Sequence, residues 1–152
     1  MFEVRVQQAD FDINAELASL SRDNPAIGAI VTFTGKVRSS DKDRPLIAMT
    51  LEHYPGMAES QMAALIEEAR QRWPLEAARI IHRTGRLTPE AQIVFVATCS
   101  AHRHAAFEAA EFLMDWLKTK APFWKKEEYE GAEAQWVEAR DADDLATARW
   151  DA

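Results

Sequence analysis

The chain has 152 residues, 47% of them hydrophobic and 28% charged, which is typical of one globular domain spanning residues 1–152. Its formal net charge of −7 argues against nucleic-acid binding and anionic-membrane binding, because both need a basic surface. The single cysteine, Cys99, permits no intramolecular disulfide and no cysteine-rich zinc site. We therefore expect a cytoplasmic protein, since the N-terminal residues also lack a signal-peptide pattern and no apolar run has the roughly 20 residues of a membrane span.

The first third of the chain predicts strands around one short helix. Strands are expected, from alternation or β-branched content, at residues 2–8, 27–37 and 46–53. Asp12 is placed to cap a helix that begins at Ile13 and carries Leu17 and Leu20 on one face. The stretch 39–45 is polar, charged and ends in proline, which predicts a mobile loop.

The rest of the chain mixes both kinds of element. Helices are predicted, from apolar residues at helical spacing, at residues 57–73, 103–120 and 141–150, the last capped by Asp141. Strands are predicted at residues 77–83, 92–100, 123–129 and 134–139, with a turn at 85–91. The 92–100 strand is almost wholly apolar, so we expect it to be buried on both faces. Without strict alternation of strands and helices, the pattern predicts an α+β domain with a largely antiparallel or mixed sheet.

Cationic side chains concentrate at three breaks between these elements. The stretches are residues 35–38, 102–104 and 118–126. The second precedes a long helix, whose free N–H groups and dipole favour an anion, and Arg103 is able to add a bidentate contact to phosphate. Simpler interpretations stay open for each stretch. The cations at 35–38 would be solvated charges of an edge strand, residues 102–104 would cap the helix, and the lysine at 118 would stabilise the helix C-terminus. Together the three stretches indicate an anion-binding pocket.

Other chemistries receive less support from the residues. Cys99 lies inside an apolar strand, where cysteine usually packs and does not react. The two histidines at 102 and 104 lack the i, i+4 spacing of a helical zinc site, so no metal site is expected. His53 and His82 end strands without any ligand spacing.

Five segments resemble, in order and spacing, the large catalytic subunit family of molybdopterin synthase. They are FTGKVRS (33–39), LEHYPGMAE (51–59), HRTGRL (82–87), SAHRHAAFEA (100–109) and LKTKAPFWKKE (117–127). The similarity runs from about residue 2 to residue 150. One departure is the turn at residues 88–91, which reads Thr-Pro-Glu-Ala where the family commonly has a glycine before an acidic residue.

The resemblance implies an α/β-hammerhead-type α+β fold and a homodimer at the centre of a heterotetramer. It implies a small ubiquitin-like sulfur-carrier subunit whose C-terminal Gly-Gly ends in a thiocarboxylate. Sulfur from that tail would convert cyclic pyranopterin monophosphate to molybdopterin, with no cofactor and no metal in this subunit. The reactive sulfur belongs to the partner, which agrees with an unreactive Cys99.

The resemblance also assigns residues to the site. Lys118 and Lys125 match the family's catalytic lysines, and we favour Lys118 for acid–base work and Lys125 for electrostatic stabilisation. Substrate-binding residues are expected at Lys36, Val37, Arg38, His102, Arg103, Lys126 and Glu127.

Two other functions remain as alternatives. One is a non-catalytic module that binds a ubiquitin-like tail or a phosphate ligand, although the presence of both Lys118 and Lys125 argues against it. The other is a phosphate-ester enzyme with His102 as base, which would turn over without any protein partner.

Overall fold

The computed structural model describes residues 1–120, 122–137 and 141–151. Its strands are β1 (Phe2–Gln7), β2 (Ala29–Lys36), β3 (Ser40–Asp41), β4 (Arg44–His53), β5 (Leu75–Arg83), β6 (Gly85–Leu87), β7 (Gln92–Ser100), β8 (Phe123–Tyr129) and β9 (Gln135–Val137). Its helices are α1 (Ile13–Ser21), α2 (Met57–Arg72), α3 (Arg103–Thr119) and α4 (Asp141–Ala148), followed by a 3₁₀ turn (Arg149–Asp151). None of the helices in the described residues is long and apolar enough to cross a bilayer.

The strands form two sheets. The first has the order β1-β5-β7-β2, in which β1 runs parallel to β5 and the other pairs are antiparallel. The second has the order β3-β4-β8-β9 with β6 also paired to β4, and its pairings are antiparallel. The predicted α+β class with a largely antiparallel, mixed sheet is therefore confirmed.

The core lies on both faces of the central strands of the first sheet. Val96 of β7 packs with Met62 of α2 and Phe112 of α3 on one face. Phe95 packs with Leu20 of α1 on the other face. Because successive side chains of a strand point to opposite faces, this double covering explains the near-continuous apolar run of residues 92–100. The prediction that this strand is buried on both faces is confirmed.

The first helix begins where its cap was predicted. The Asp12 carboxylate accepts a hydrogen bond from the Ala15 backbone N–H at 3.0 Å, and Ile13 is the first helical residue. At the other end of the chain, α4 was expected at residues 141–150 and occupies Asp141–Ala148. The predicted cap by the Asp141 side chain, and residues 138–139 of the predicted last strand, lie outside the described residues.

Two local predictions were incomplete. The expected turn at 85–91 contains strand β6, in which Leu87 pairs with Met49 and is buried beside it, so the turn is confined to residues 88–91. The expected loop at 39–45 contains a tight hairpin in which Asp41 pairs with Arg44. The pairing of β6 joins two separate segments, which a local glycine-containing pattern does not reveal, whereas the hairpin lies within the polar stretch itself.

Candidate functional site

A cavity of about 600 Å³ opens between the two sheets at the C-terminal end of α3. Its apolar surface comes from β4, β7 and α3, where Met49, Val94 and Met114 line it. Its charged surface comes from four lysines and arginines and three acids: Lys36, Arg38, Lys118, Lys125, Asp41, Glu127 and Asp143. The cavity therefore combines a shaped apolar wall with cations able to hold an anionic ligand.

The two predicted catalytic lysines lie on different walls of this cavity. Lys118 belongs to the last turn of α3, and Lys125 is the third residue of β8. Because side chains alternate along a strand, Phe123, Lys125 and Glu127 face the cavity together. The sequence stretch 118–126 thus contributes two ammonium groups to one space from two separate elements.

Of the remaining predicted site residues, Lys36, Arg38 and Glu127 also line the cavity. Val37 is only 3% exposed and packs beneath the site, with its N–H donating to the Ala91 carbonyl at 2.9 Å. Lys126 faces the other side of β8, where its ammonium lies 5.7 Å from the centre of the Trp136 ring.

His102 and Arg103 are not brought to the cavity within one chain. Both are exposed, at the N-terminus of α3, whereas Lys118 is in its last turn. At 1.5 Å per residue, the 15 steps from Arg103 to Lys118 separate their backbones by about 22 Å. The three cationic stretches are thus divided in space: residues 35–38 and 118–126 meet at the cavity, whereas residues 102–104 lie apart from it.

An acidic group borders the lysine on β8. Glu127 is 7% exposed, and one carboxylate oxygen, Oε1, lies 3.9 Å from the Lys125 ammonium. The other oxygen, Oε2, accepts a hydrogen bond from the hydroxyl of Tyr129. Tyr129 and Asp41 were not singled out from the sequence. Strand alternation places residues 123, 125 and 127 on one face, and the same alternation predicts that Tyr129 lies on that face.

His82 was also missed as a site residue. Its ring lies parallel to Phe123, with centroids 3.7 Å apart and an interplanar angle of 12°. Burial lowers the pKa of His82 to about 4, and the charges of Lys118 and His53 lower it further. The ring is therefore neutral near pH 7, so Nδ1, 2.9 Å from the Arg83 carbonyl, carries the proton and donates to it. Nε2 consequently keeps its lone pair.

Cys99 lies away from this site, fully buried between β7 and α1. Burial raises the pKa of its thiol to about 11, so the thiolate needed for nucleophilic attack is scarce at neutral pH. Among the described residues, no group of three His, Cys, Asp or Glu side chains is placed to hold a metal ion.

Comparison with known proteins gives a consistent result. The family model described as MoaE protein matches residues 6–120. A relative from Rhizobium meliloti (strain 1021), described as molybdopterin synthase catalytic subunit, is 55% identical over 148 residues, which are 97% of this chain and 94% of that protein. The solved molybdopterin biosynthesis MoaE protein from Burkholderia ambifaria MC40-6 has a TM-score of 0.85 and 50% identity, covering 100% of this chain and 99% of that one. The crystal structure of molybdopterin synthase from Staphylococcus aureus has a TM-score of 0.81 and 30% identity, covering 88% of this chain and 95% of that one.

Proposed function

The chain belongs to the MoaE protein family, and we propose that it is the catalytic subunit of a molybdopterin synthase. It converts cyclic pyranopterin monophosphate to molybdopterin with sulfur from the C-terminal thiocarboxylate of a small ubiquitin-like subunit. The observation that carries this proposal is the cavity in which Lys118 and Lys125 stand on separate walls beside Arg38. The relatives of this chain are named as catalytic subunits of that synthase, which supports the assignment. We propose the cytoplasm as its location.

The charges of the cavity suit both reactants. The substrate carries a cyclic phosphate and the partner brings an anionic thiocarboxylate, so the site must offset negative charge. Lys36 and Arg38 enter the cavity from the end of β2, and Lys125 enters it from β8. Arginine is suited to phosphate because its guanidinium donates two parallel hydrogen bonds. We assign Lys36 and Arg38 to substrate anchoring.

The two lysines receive different roles. Glu127 lies 3.9 Å from the Lys125 ammonium, and a neighbouring carboxylate favours the charged form of a lysine. Lys125 therefore suits electrostatic stabilisation of the oxyanion that forms when the partner's acyl group is attacked. Lys118, on the opposite wall, is placed near the neutral ring of His82. We assign proton transfer to Lys118.

We propose that His102 and Arg103 of one chain contribute to the cavity of a second copy of the chain. They lie at the opposite end of α3 from the cavity, so they reach a substrate bound there only across a subunit interface. A homodimer at the centre of a heterotetramer provides such an interface. Glu127 continues the wall of the site and Val37 supports it from beneath, whereas Lys126 lies on the opposite side of β8, beside Trp136.

Reconstitution tests the function directly. The protein is mixed with a thiocarboxylated ubiquitin-like subunit and cyclic pyranopterin monophosphate, and dithiolene formation is followed. We expect product from the wild type and a loss of about 100-fold or more for Lys118→Ala and Lys125→Ala. Lys120→Ala is the matched control, because Lys120 lies near the same helix end but outside the cavity, with its ammonium 5.6 Å from the centre of the Trp116 ring.

Arginine substitutions separate the two roles. Arginine keeps a positive charge but cannot release its proton, so Lys125→Arg should retain much more activity than Lys118→Arg.

Absence of product from the wild type, with a partner active toward another catalytic subunit, would contradict the synthase assignment and favour a binding module. Turnover without the partner would instead favour a phosphate-ester enzyme.

A further inference from the structure

Tyr129 is a buried phenol placed between two carboxylates. Tyr129 is 4% exposed. Its hydroxyl donates a hydrogen bond to Glu127 and lies 3.4 Å from Asp41 Oδ2. A tyrosine hydroxyl has one proton to donate. Because Asp41 lies at the edge of hydrogen-bonding distance, that proton is assigned to Glu127.

This hydrogen bond orients Glu127 toward Lys125. Oε2 is the oxygen that accepts from Tyr129, and Oε1 of the same carboxylate lies 3.9 Å from the Lys125 ammonium. A carboxylate with one oxygen held by a buried donor loses the freedom to rotate away. The Tyr129 hydroxyl therefore holds the carboxylate in the orientation that directs its second oxygen at the lysine.

The same tyrosine connects Lys125 to the hairpin of β3 and β4. Asp41 belongs to β3, and its Oδ1 lies 3.9 Å from the Arg38 guanidinium. Arg44, the first residue of β4, covers the Tyr129 ring with its guanidinium carbon 4.1 Å from the ring centre. The hairpin therefore reaches Tyr129 through the Arg44 guanidinium on its ring and reaches Arg38 through Asp41.

We propose that Tyr129 is a positioning residue of this site, which holds Glu127 against Lys125 and ties that pair to the hairpin beside Arg38. The inference rests on the proposed function for its effect on turnover. Tyr129 itself touches no reacting atom and acts through Glu127 and Lys125. A merely structural tyrosine would support β8 without affecting the chemical state of Lys125.

Lysine labelling tests this without any turnover. Tyr129→Phe keeps the ring and its contact with Arg44 but removes the hydroxyl, and Glu127→Gln removes the carboxylate. Because a held carboxylate favours the unreactive ammonium, we expect an N-hydroxysuccinimide acetate probe at pH 8 to label Lys125 about threefold faster in both variants than in the wild type. Lys120 is the internal control, and Tyr54→Phe, which removes a hydroxyl from a residue 61% exposed, is the matched variant.

Turnover gives the second readout. We expect Tyr129→Phe to slow dithiolene formation about tenfold in the wild-type background and less than about twofold in the Lys125→Ala background, because two residues that act through one another are not additive. Unchanged labelling of Lys125 in Tyr129→Phe, or equal losses in both backgrounds, would overturn the positioning role. A wild type that makes no product would contradict the proposed function alone, since the labelling result stands independently of it.

Discussion

His82 shows how one half-buried side chain links the candidate site to the stability of the fold. Its ring is stacked on Phe123, and burial lowers its pKa from the ordinary 6.5 to about 4. Between these two values the unfolded chain binds a proton that the folded protein does not. The free energy of unfolding therefore falls as the pH drops from about 6.5 to about 4.

We predict that His82 makes the wild type lose about 2 kcal/mol of unfolding free energy between pH 8 and pH 5, as measured by urea denaturation. Other groups titrate in the same range, so the comparison is with His82→Phe, which keeps an aromatic ring but has no proton to bind. The variant should lose about 2 kcal/mol less than the wild type over that interval. Equal losses in both proteins would show that His82 does not carry this pH dependence.

At the scale of elements, the turn between β6 and β7 contains a strained residue. Glu90 has a φ of 78°, in the left-handed region that costs a residue with a Cβ roughly 1 kcal/mol or more. Its N–H donates to the Val37 carbonyl at 2.8 Å, so this turn also holds the end of β2 under the cavity. The departure from the family pattern expected at residues 88–91 falls in this same turn.

Glu90→Gly should therefore stabilise the protein by about 1 kcal/mol in urea unfolding. Glu90→Ala is the control, because it removes the same charge and keeps the Cβ that strains the turn. We expect no comparable gain from it. Similar gains in both variants would assign the effect to the charge and not to the backbone.

At the scale of the whole molecule, the position of Arg103 predicts that each site combines residues from two chains. Arg103 and Lys118 lie at opposite ends of α3. A mixed dimer contains one Lys118→Ala chain and one Arg103→Ala chain. If each of its two sites takes Lys118 from one chain and Arg103 from the other, one site is intact and the other lacks both side chains.

Coexpression of the two variants with different tags, followed by purification on both, isolates the mixed dimer. Each variant alone should be nearly inactive, and the mixed dimer should recover about half of the wild-type rate of dithiolene formation. If Arg103 served the cavity of its own chain, neither site of the mixed dimer would be intact and no activity would return. Dimers of Lys120→Ala and wild-type chains, prepared in the same way, control for the tags.

Much of this architecture was predictable because local patterns report local structure. Alternation predicted β1, the carboxylate of Asp12 predicted the start of α1, and an apolar run predicted a strand buried on both faces. The resemblance of five segments indicated the family, which the comparisons show, and it assigned the two lysines of the cavity. Their separate roles, and the extent of the domain over 1–152, remain predictions.

The tertiary structure alone decided which distant residues meet. The pairing of Leu87 with Met49 joins segments 38 positions apart whose own residues do not encode the partner strand. Tyr129 and Asp41 are brought within 3.4 Å by chain segments 88 positions apart, and no spacing rule connects them. Sequence therefore determined the elements, the family and the charges that line the site. Long-range packing determined that His82 is neutral, that Asp41 lies beside Tyr129, and that Arg38 shares a cavity with Lys118 and Lys125.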